Sequence, residues 1–215
     1  MGDVYMYVVD RDFGFAPNPF HGYCTLATCK SRIRAKAQPG DWVVGMGGAR
    51  LKATGRCVFA MRVGQTLSFN EYWFSPAHLD KRPVRNGSNK MMVGDNIYWY
   101  DTALDQWHQA DSHHSNSDGT VNVYNLAKDT QADRVLLSYC FFYFGKQAPA
   151  VPCSLLEEIG YRNCRNYRVF EYAVCNNLLA WLYHEFADCL NYVAADPFDF
   201  AQSDRRYSAK DNRVQ

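Results

Sequence analysis

Two aspartates and an asparagine follow the first predicted strand, in a loop that two prolines stiffen. Asp10 and Asp12 come after the apolar run 4–9, and Asn18 stands between the two prolines. A rigid loop presents side chains with little conformational entropy left to lose. One carboxylate of such a pair can stabilise an oxocarbenium-like sugar while the other activates water. Capping of a turn is the alternative, and it is stronger for Asp10, which stands in a local charge cluster.

Basic residues concentrate in the same half of the chain. The net charge is +1, yet residues 1–90 hold thirteen Lys and Arg against six Asp and Glu. A helix predicted over residues 26–37 carries cations four residues apart, which share a face. The candidate phosphate contacts are Lys30, Arg32, Arg34, Lys36, Arg50 and Lys52. They can follow a nucleic-acid backbone, or they can form an ordinary solvated surface.

Four aromatic side chains are candidates for stacking on an unpaired base. They are Phe15, Phe20, Tyr23 and Trp42. Phe15 and Phe20 stand out because they lie in the stiff loop. For each of the four, a place in the hydrophobic core is the alternative.

The polar stretch 108–133 contains His113 and His114, with Asp111 and Asp118 nearby. Adjacent histidines on a loop point apart, and no second cluster has metal-ligand spacing, so we expect no metal and no cofactor. The zinc-deaminase signature is also missing. A base or phosphate contact by His113 is the functional interpretation, and a mobile loop without function is the alternative.

Eight cysteines are present and none forms a C-x-x-C pair. Several stand in apolar runs, which is typical of buried free thiols. The first residues lack the pattern of a secretion signal, and no apolar run is long enough to span a membrane. We therefore expect a protein of the reducing cytoplasm, without membrane contact.

The elements that must position these residues alternate between strands and helices. Strands are predicted at 4–9, 57–63, 95–100 and 135–144, and a capping box opens a helix at Ser68. Apolar spacing predicts a long amphipathic helix over 169–192. We expect an α+β fold in one domain over residues 1–200, with a small mixed or barrel-like sheet and flanking helices. Residues 201–215 read as a polar, flexible tail.

The run from Asp12 to Phe20, followed by Cys24-Thr25-Leu26-Ala27 and Gly40-Asp41-Trp42-Val43-Val44-Gly45, resembles the nucleotide modification associated domain 2 family. Weaker similarities to the same family continue to about residue 150. The resemblance implies an association with modified DNA bases and with conflict between bacteria and phages. Parts of it are similar to PUA-like barrels, which hold an extruded base in a pocket.

These observations lead to a DNA glycosylase hypothesis, in which the enzyme excises a hypermodified base such as glucosylated cytosine. The base would be flipped out of the duplex. Asp12 would stabilise the sugar cation or position water, and Asn18 would bind the base edge or the leaving group. Asp10 is the third candidate catalytic residue. Lys30 or Lys52 as a Schiff-base nucleophile is a variant. The alternatives are a non-catalytic reader of modified bases and a protein that binds or processes free modified nucleotides.

Overall fold

The computed structural model describes residues 2–215, which form a mixed α+β fold. The strands are β1 Asp3–Val9, β2 Cys24–Leu26, β3 Trp42–Gly47, β4 Cys57–Arg62, β5 Gln65–Leu67, β6 Tyr98–Asp101, β7 Gln106–Gln109, β8 Val135–Ser138, β9 Cys140–Tyr143, β10 Tyr167–Glu171, β11 Tyr207–Ser208 and β12 Arg213–Val214. The helices are α1 Ser31–Lys36, α2 Phe69–Phe74, α3 Asn89–Met92, α4 Val123–Asp129, α5 Cys153–Ile159 and α6 Tyr172–Glu185. Within the described range, none of the helices combines the length and apolar character needed to cross a bilayer.

The largest sheet has five strands in the order β10-β1-β3-β4-β9. β1 runs parallel to β3 and antiparallel to β10. Every residue of β3 is buried, as expected for a strand that is covered on both faces. The sheet does not close on itself within residues 2–215. The barrel-like, PUA-like architecture expected from the resemblance is therefore not confirmed.

The C-terminal helix is shorter than the predicted span 169–192. Residues Tyr167–Glu171 pair with β1 as a strand, and α6 begins only at Tyr172. Tyrosine, valine and phenylalanine favour an extended backbone, and pairing with β1 satisfies its polar groups. Tertiary pairing thus overrides the helical period. α6 buries Leu178 and Leu182 in the main core.

A second sheet has the order β2-β8-β5. The predicted single strand 135–144 is divided, because β8 belongs to this sheet and β9 to the larger one. Tyr139 lies exposed between them, and the Ser138 hydroxyl donates to the Cys140 carbonyl at 2.8 Å. The chain therefore passes between the two sheets at this point.

The predicted basic helix 26–37 is helical only in its second half. Between β2 and α1, Cys29 and Lys30 have φ angles of +55° and +35°. Non-glycine residues in this region cost on the order of 1–3 kcal/mol each and persist where surrounding contacts hold them. The turn places Cys29 at the junction of a strand and a helix.

The polar stretch 108–133 and the C-terminal residues pack against each other. His113 and His114 are buried, and the Tyr207 amide donates to the His113 carbonyl at 2.7 Å. The Arg206 guanidinium forms an ion pair with Asp111. β11 and β12, in the segment expected to be a flexible tail, form an antiparallel pair that covers this loop.

Asp12 joins the stiff loop to the C-terminal segment. Its carboxylate accepts hydrogen bonds from the Tyr143 hydroxyl and from the amides of Gly14 and Phe198, the latter two at 3.3 and 3.2 Å. The Asp12 amide donates to Asp199 at 2.9 Å. Burial raises the pKa of Asp12 to about 6, and these hydrogen bonds only partly oppose the shift.

This raised pKa predicts a pH-dependent contribution to stability. A raised carboxyl pKa stabilises the fold below the unfolded value of 3.8, and this contribution is lost as the pH rises through about 6. The wild type should therefore lose up to about 3 kcal/mol relative to Asp12→Asn between about pH 4 and pH 7. Urea unfolding at each pH measures the difference. Asp80→Asn, at an exposed carboxylate, is the control, and a constant difference across this window would contradict the prediction.

Candidate active site

Three side chains from distant parts of the sequence form a relay. The Cys29 Sγ lies 3.7 Å from Nε2 of His114, and Nδ1 of His114 lies 2.7 Å from Oδ2 of Asp129. His114 and Asp129 are buried, whereas Cys29 is partly accessible. A thiol, an imidazole and an orienting carboxylate in this order are the parts of a nucleophilic catalytic triad.

Asp129 and Arg34 both hold the turn that carries Cys29. The Cys29 amide donates to Oδ1 of Asp129 at 2.8 Å, so the carboxylate binds both the cysteine backbone and the histidine ring. The Arg34 guanidinium donates to the Cys29 carbonyl at 2.9 Å and to the Asp129 carbonyl at 2.5 Å. It also donates to the carbonyls of Ala132 and Arg134. Arg34 is fully buried, so its donors are committed to the backbone.

Polar side chains orient the acid and the histidine. The Tyr98 hydroxyl donates to Oδ2 of Asp129 at 2.9 Å. The amide side chains of Gln109 and Asn125 donate to the His114 carbonyl at 3.0 and 2.7 Å. Buried side chains thus hold both the Asp129 carboxylate and the His114 backbone, as preorganisation requires.

Asp129 and His114 each favour the charged form of the other. Burial opposes protonation of His114, but Asp129 and Cys29 outweigh it and raise its pKa to about 10. Burial also opposes ionisation of Asp129, yet His114 and Arg34 hold its pKa below the ordinary value. His114 is therefore an imidazolium at neutral pH. A cation beside a cysteine favours the reactive thiolate.

Cys29 and His114 open into a cavity of about 570 Å³. Its lining includes the aromatic residues Tyr7, Phe13, Phe15, Tyr167 and Tyr207 and the cations Arg11, Lys30, Arg32 and Lys128. Asp10 is the one acid among the described residues of this lining. A cavity of this size fits a small organic ligand, and its cations favour an anionic one.

The potential ligand atoms of the same three side chains also lie within 4.8 Å of one another, which is close enough for them to share a metal ion. The hydrogen bonds argue for the relay. The two nitrogens of His114 face different partners, Cys29 through Nε2 and Asp129 through Nδ1. Because these nitrogens lie on different edges of the ring, one ion cannot bind both.

Five residues proposed from the sequence lie together in this cavity. They are Asp10, Phe15, Lys30, Arg32 and His113. His113 packs between Phe13 and Phe15, with ring centroids 4.4 and 5.1 Å away. Burial and the charge of His114 lower its pKa to about 3, so His113 is neutral.

The other proposed residues lie outside the cavity lining. Asn18 is buried, and its oxygens accept from Lys81, with Oδ1 2.8 Å from Nζ. Phe20 stacks on Phe200 at 5.4 Å, and the Tyr23 hydroxyl contacts His78. These two side chains and Asn18 hold the stiff loop in place.

Trp42 and Lys36 lie at a second cavity, next to Tyr183. Arg50 and Lys52 are exposed beyond the end of β3. Of the six proposed phosphate contacts, only Lys30 and Arg32 line the first cavity. The buried Arg34 has no free surface to offer a phosphate.

Sequence reasoning missed the relay itself. Cys29 was grouped with the structural thiols, and Asp129 was not singled out at all. The available signals were a cysteine within the predicted basic helix 26–37 and the histidine pair in a long polar loop. Triad members are adjacent in space and not in sequence, so nothing in the spacing of 29, 114 and 129 connects them.

Comparison with known proteins identifies one family. Residues 1–204 match the family model for nucleotide modification associated domain 2, which confirms the resemblance seen in the sequence. The matched range includes Cys29, His114 and Asp129. No curated protein and no solved structure matches the chain.

The relay predicts a selectively reactive thiol. At pH 7, Cys29 should react with iodoacetamide faster than the exposed Cys153, because an adjacent imidazolium favours the thiolate. His114→Ala should slow alkylation of Cys29 by about 10- to 100-fold. Peptide mass spectrometry reports both cysteines in one digest. His184→Ala, at an exposed histidine, is the control, and equal rates for Cys29 and Cys153 would rule out an activated thiol.

Proposed function

We propose that this chain, which belongs to the nucleotide modification associated domain 2 family, is a thiol-dependent enzyme that cleaves or transfers an acyl group on a modified nucleotide. The observation that carries the proposal is the relay of Cys29, His114 and Asp129, with separations of 3.7 and 2.7 Å. Triads of this composition serve acyl transfer on unrelated folds. The family match supplies the nucleotide context.

The residues of the relay have distinct roles in this reaction. The Cys29 thiolate attacks the carbonyl carbon of the amide or ester, and His114 gives its proton to the leaving group. A water molecule or an acceptor amine then attacks the thioester, and His114 takes its proton. Asp129 keeps the ring oriented throughout. The separation of 3.7 Å between Cys29 and His114 is long, as is common before a substrate binds.

The cavity has groups suited to each part of a nucleotide. Arg32 and Lys128 are exposed cations of the lining and suit the phosphate. Tyr167 and Tyr207 are partly exposed aromatic residues of the lining, against which a base can pack. A cavity of about 570 Å³ accommodates a base with a substituent. We propose a base flipped out of DNA, in particular hypermodified phage DNA, as the substrate, with a free modified nucleotide as the alternative.

N-acylated nucleotides test this activity. Incubation with N4-acetyl-deoxycytidine monophosphate, and with single- and double-stranded oligonucleotides that contain the same base, should release deoxycytidine products detectable by mass spectrometry. Cys29→Ala should lower turnover by more than about 100-fold, because it removes the nucleophile. Cys153→Ala is the matched control at an exposed thiol. Turnover that persists in Cys29→Ala, or that a chelator abolishes, would contradict the thiol mechanism.

Excision of the base is a second candidate, because Asp10 and Lys30 line the same cavity. Burial lowers the pKa of Lys30, and the nearby Cys29 and Asp10 only partly restore it. An amine with a lowered pKa can attack C1′ of a nucleotide, and a carboxylate can stabilise the sugar cation. In this reaction Asp10 takes the role first considered for Asp12, which lies outside the cavity lining.

Borohydride trapping separates excision from acyl transfer. With DNA that carries glucosylated hydroxymethylcytosine, a glycosylase of this kind should form a covalent adduct that depends on Lys30 and leave alkali-labile sites. Lys30→Ala should abolish the adduct, whereas Lys52→Ala, at an exposed lysine, should not. Specific binding without adduct, abasic site or deacylation would indicate a reader of modified bases.

A further inference from the structure

The hydroxyl of Tyr7 is a buried donor without a partner. Tyr7 is 1% exposed, and its hydroxyl makes no hydrogen bond to any of residues 2–215. A buried polar group left unpaired costs about 1–3 kcal/mol, and buried tyrosine hydroxyls usually find a partner. An unpaired hydroxyl at this depth is therefore a candidate for contact with a ligand.

Tyr7 lines the same cavity as Cys29 and His114. The Lys30 ammonium lies 4.1 Å from the centroid of its ring. Burial raises the pKa of Tyr7 well above the ordinary value, and Cys29 is the next largest cause. The hydroxyl therefore stays protonated at neutral pH. A hydrogen bond from it to a ligand acceptor would remove the cost of leaving this donor unpaired.

The main chain holds Tyr7 rigidly. It lies in β1, opposite Gly45 of β3 on one side and Tyr167 of β10 on the other. Its ring packs edge-to-face on Phe59 with centroids 5.8 Å apart. A donor on a central strand is fixed more precisely than one on a loop.

Two other donors near the thiol are already engaged. The Cys29 amide donates to Asp129 at 2.8 Å, and Nδ1 of His113 contacts the Arg205 carbonyl at 2.7 Å. The Thr28 hydroxyl is also unpaired, but Thr28 is not part of the cavity lining. Among the described residues of this lining, Tyr7 thus has the buried side-chain hydroxyl that is unpaired.

We propose that Tyr7 is a further catalytic residue, whose hydroxyl donates a hydrogen bond to the carbonyl oxygen of the substrate. This inference rests on the proposed thiol chemistry. As a thiolate electron pair forms the sulfur–carbon bond, the π pair of the carbonyl moves to oxygen, and the Tyr7 O–H stabilises the resulting oxyanion. When the carbonyl re-forms, the leaving group departs with its bonding pair and takes the proton from His114. Donors aimed at a developing oxyanion are among the largest catalytic effects.

Two small reagents test the donor without knowledge of the natural substrate. 4-Nitrophenyl acetate acylates a thiolate through an oxyanion and releases nitrophenolate, whereas iodoacetamide alkylates it by displacing iodide at a saturated carbon. Tyr7→Phe keeps the ring and removes only the hydroxyl. It should slow acylation of Cys29 by at least about tenfold and leave the alkylation rate unchanged. Mass spectrometry of the Cys29 peptide measures both rates in the full chain.

Tyr161→Phe is the matched control, because the Tyr161 hydroxyl is also buried and unpaired but lies outside the cavity lining. It should change neither rate. Equal acylation by the wild type and Tyr7→Phe would overturn the proposal, and an equal loss of both reactions would assign Tyr7 a structural role instead. If Cys29 of the wild type reacts no faster than Cys153 with either reagent, the thiol mechanism itself fails, independently of Tyr7.

Discussion

The buried guanidinium of Arg34 connects the chain segments that carry the candidate site. It binds the carbonyl of Cys29 in the turn before α1 and that of Asp129 at the end of α4. A charge without solvent must have its donors satisfied, and here four backbone carbonyls satisfy them. The same contacts set the distance between the thiol turn and the acid. His114 is then placed through Asp129, so the geometry of the relay depends on one cation that never meets the ligand.

A second buried cation plays a comparable part for the wall of the cavity. The Lys81 ammonium donates to the Asn18 and Tyr23 carbonyls, each at 2.9 Å. It thereby holds the two-proline loop in place, and Phe15 of this loop lines the cavity. Burial lowers the pKa of Lys81 to about 8, although Asp95 and Cys24 oppose the shift. Stiffness of the loop, which the sequence analysis attributed to proline alone, also depends on this ammonium group.

Local signals in the sequence predicted the parts of the structure that local forces determine. The strand at 4–9 and the capping box at Ser68 are confirmed, because β-branched runs and caps act over a few residues. The helix predicted over 169–192 begins only at Tyr172, because the residues before it pair with β1 as a strand. The residues of the candidate site were predicted in part. The stiff loop pointed to Phe15 and Asp10. The proximity of residues 29, 114 and 129 depends on tertiary contacts, which their spacing in the sequence does not reveal.

The C-terminal hairpin forms part of the cavity wall with residues from outside the family match. Tyr207 and Asn212 line the cavity, yet they lie beyond residue 204, where the match to the family model ends. Cys29, His114 and Asp129 lie within the matched range. A change in residues 205–215 would reshape this wall of the cavity. It would also act on His114, because the ring of Tyr207 packs against the His114 ring with centroids 5.6 Å apart.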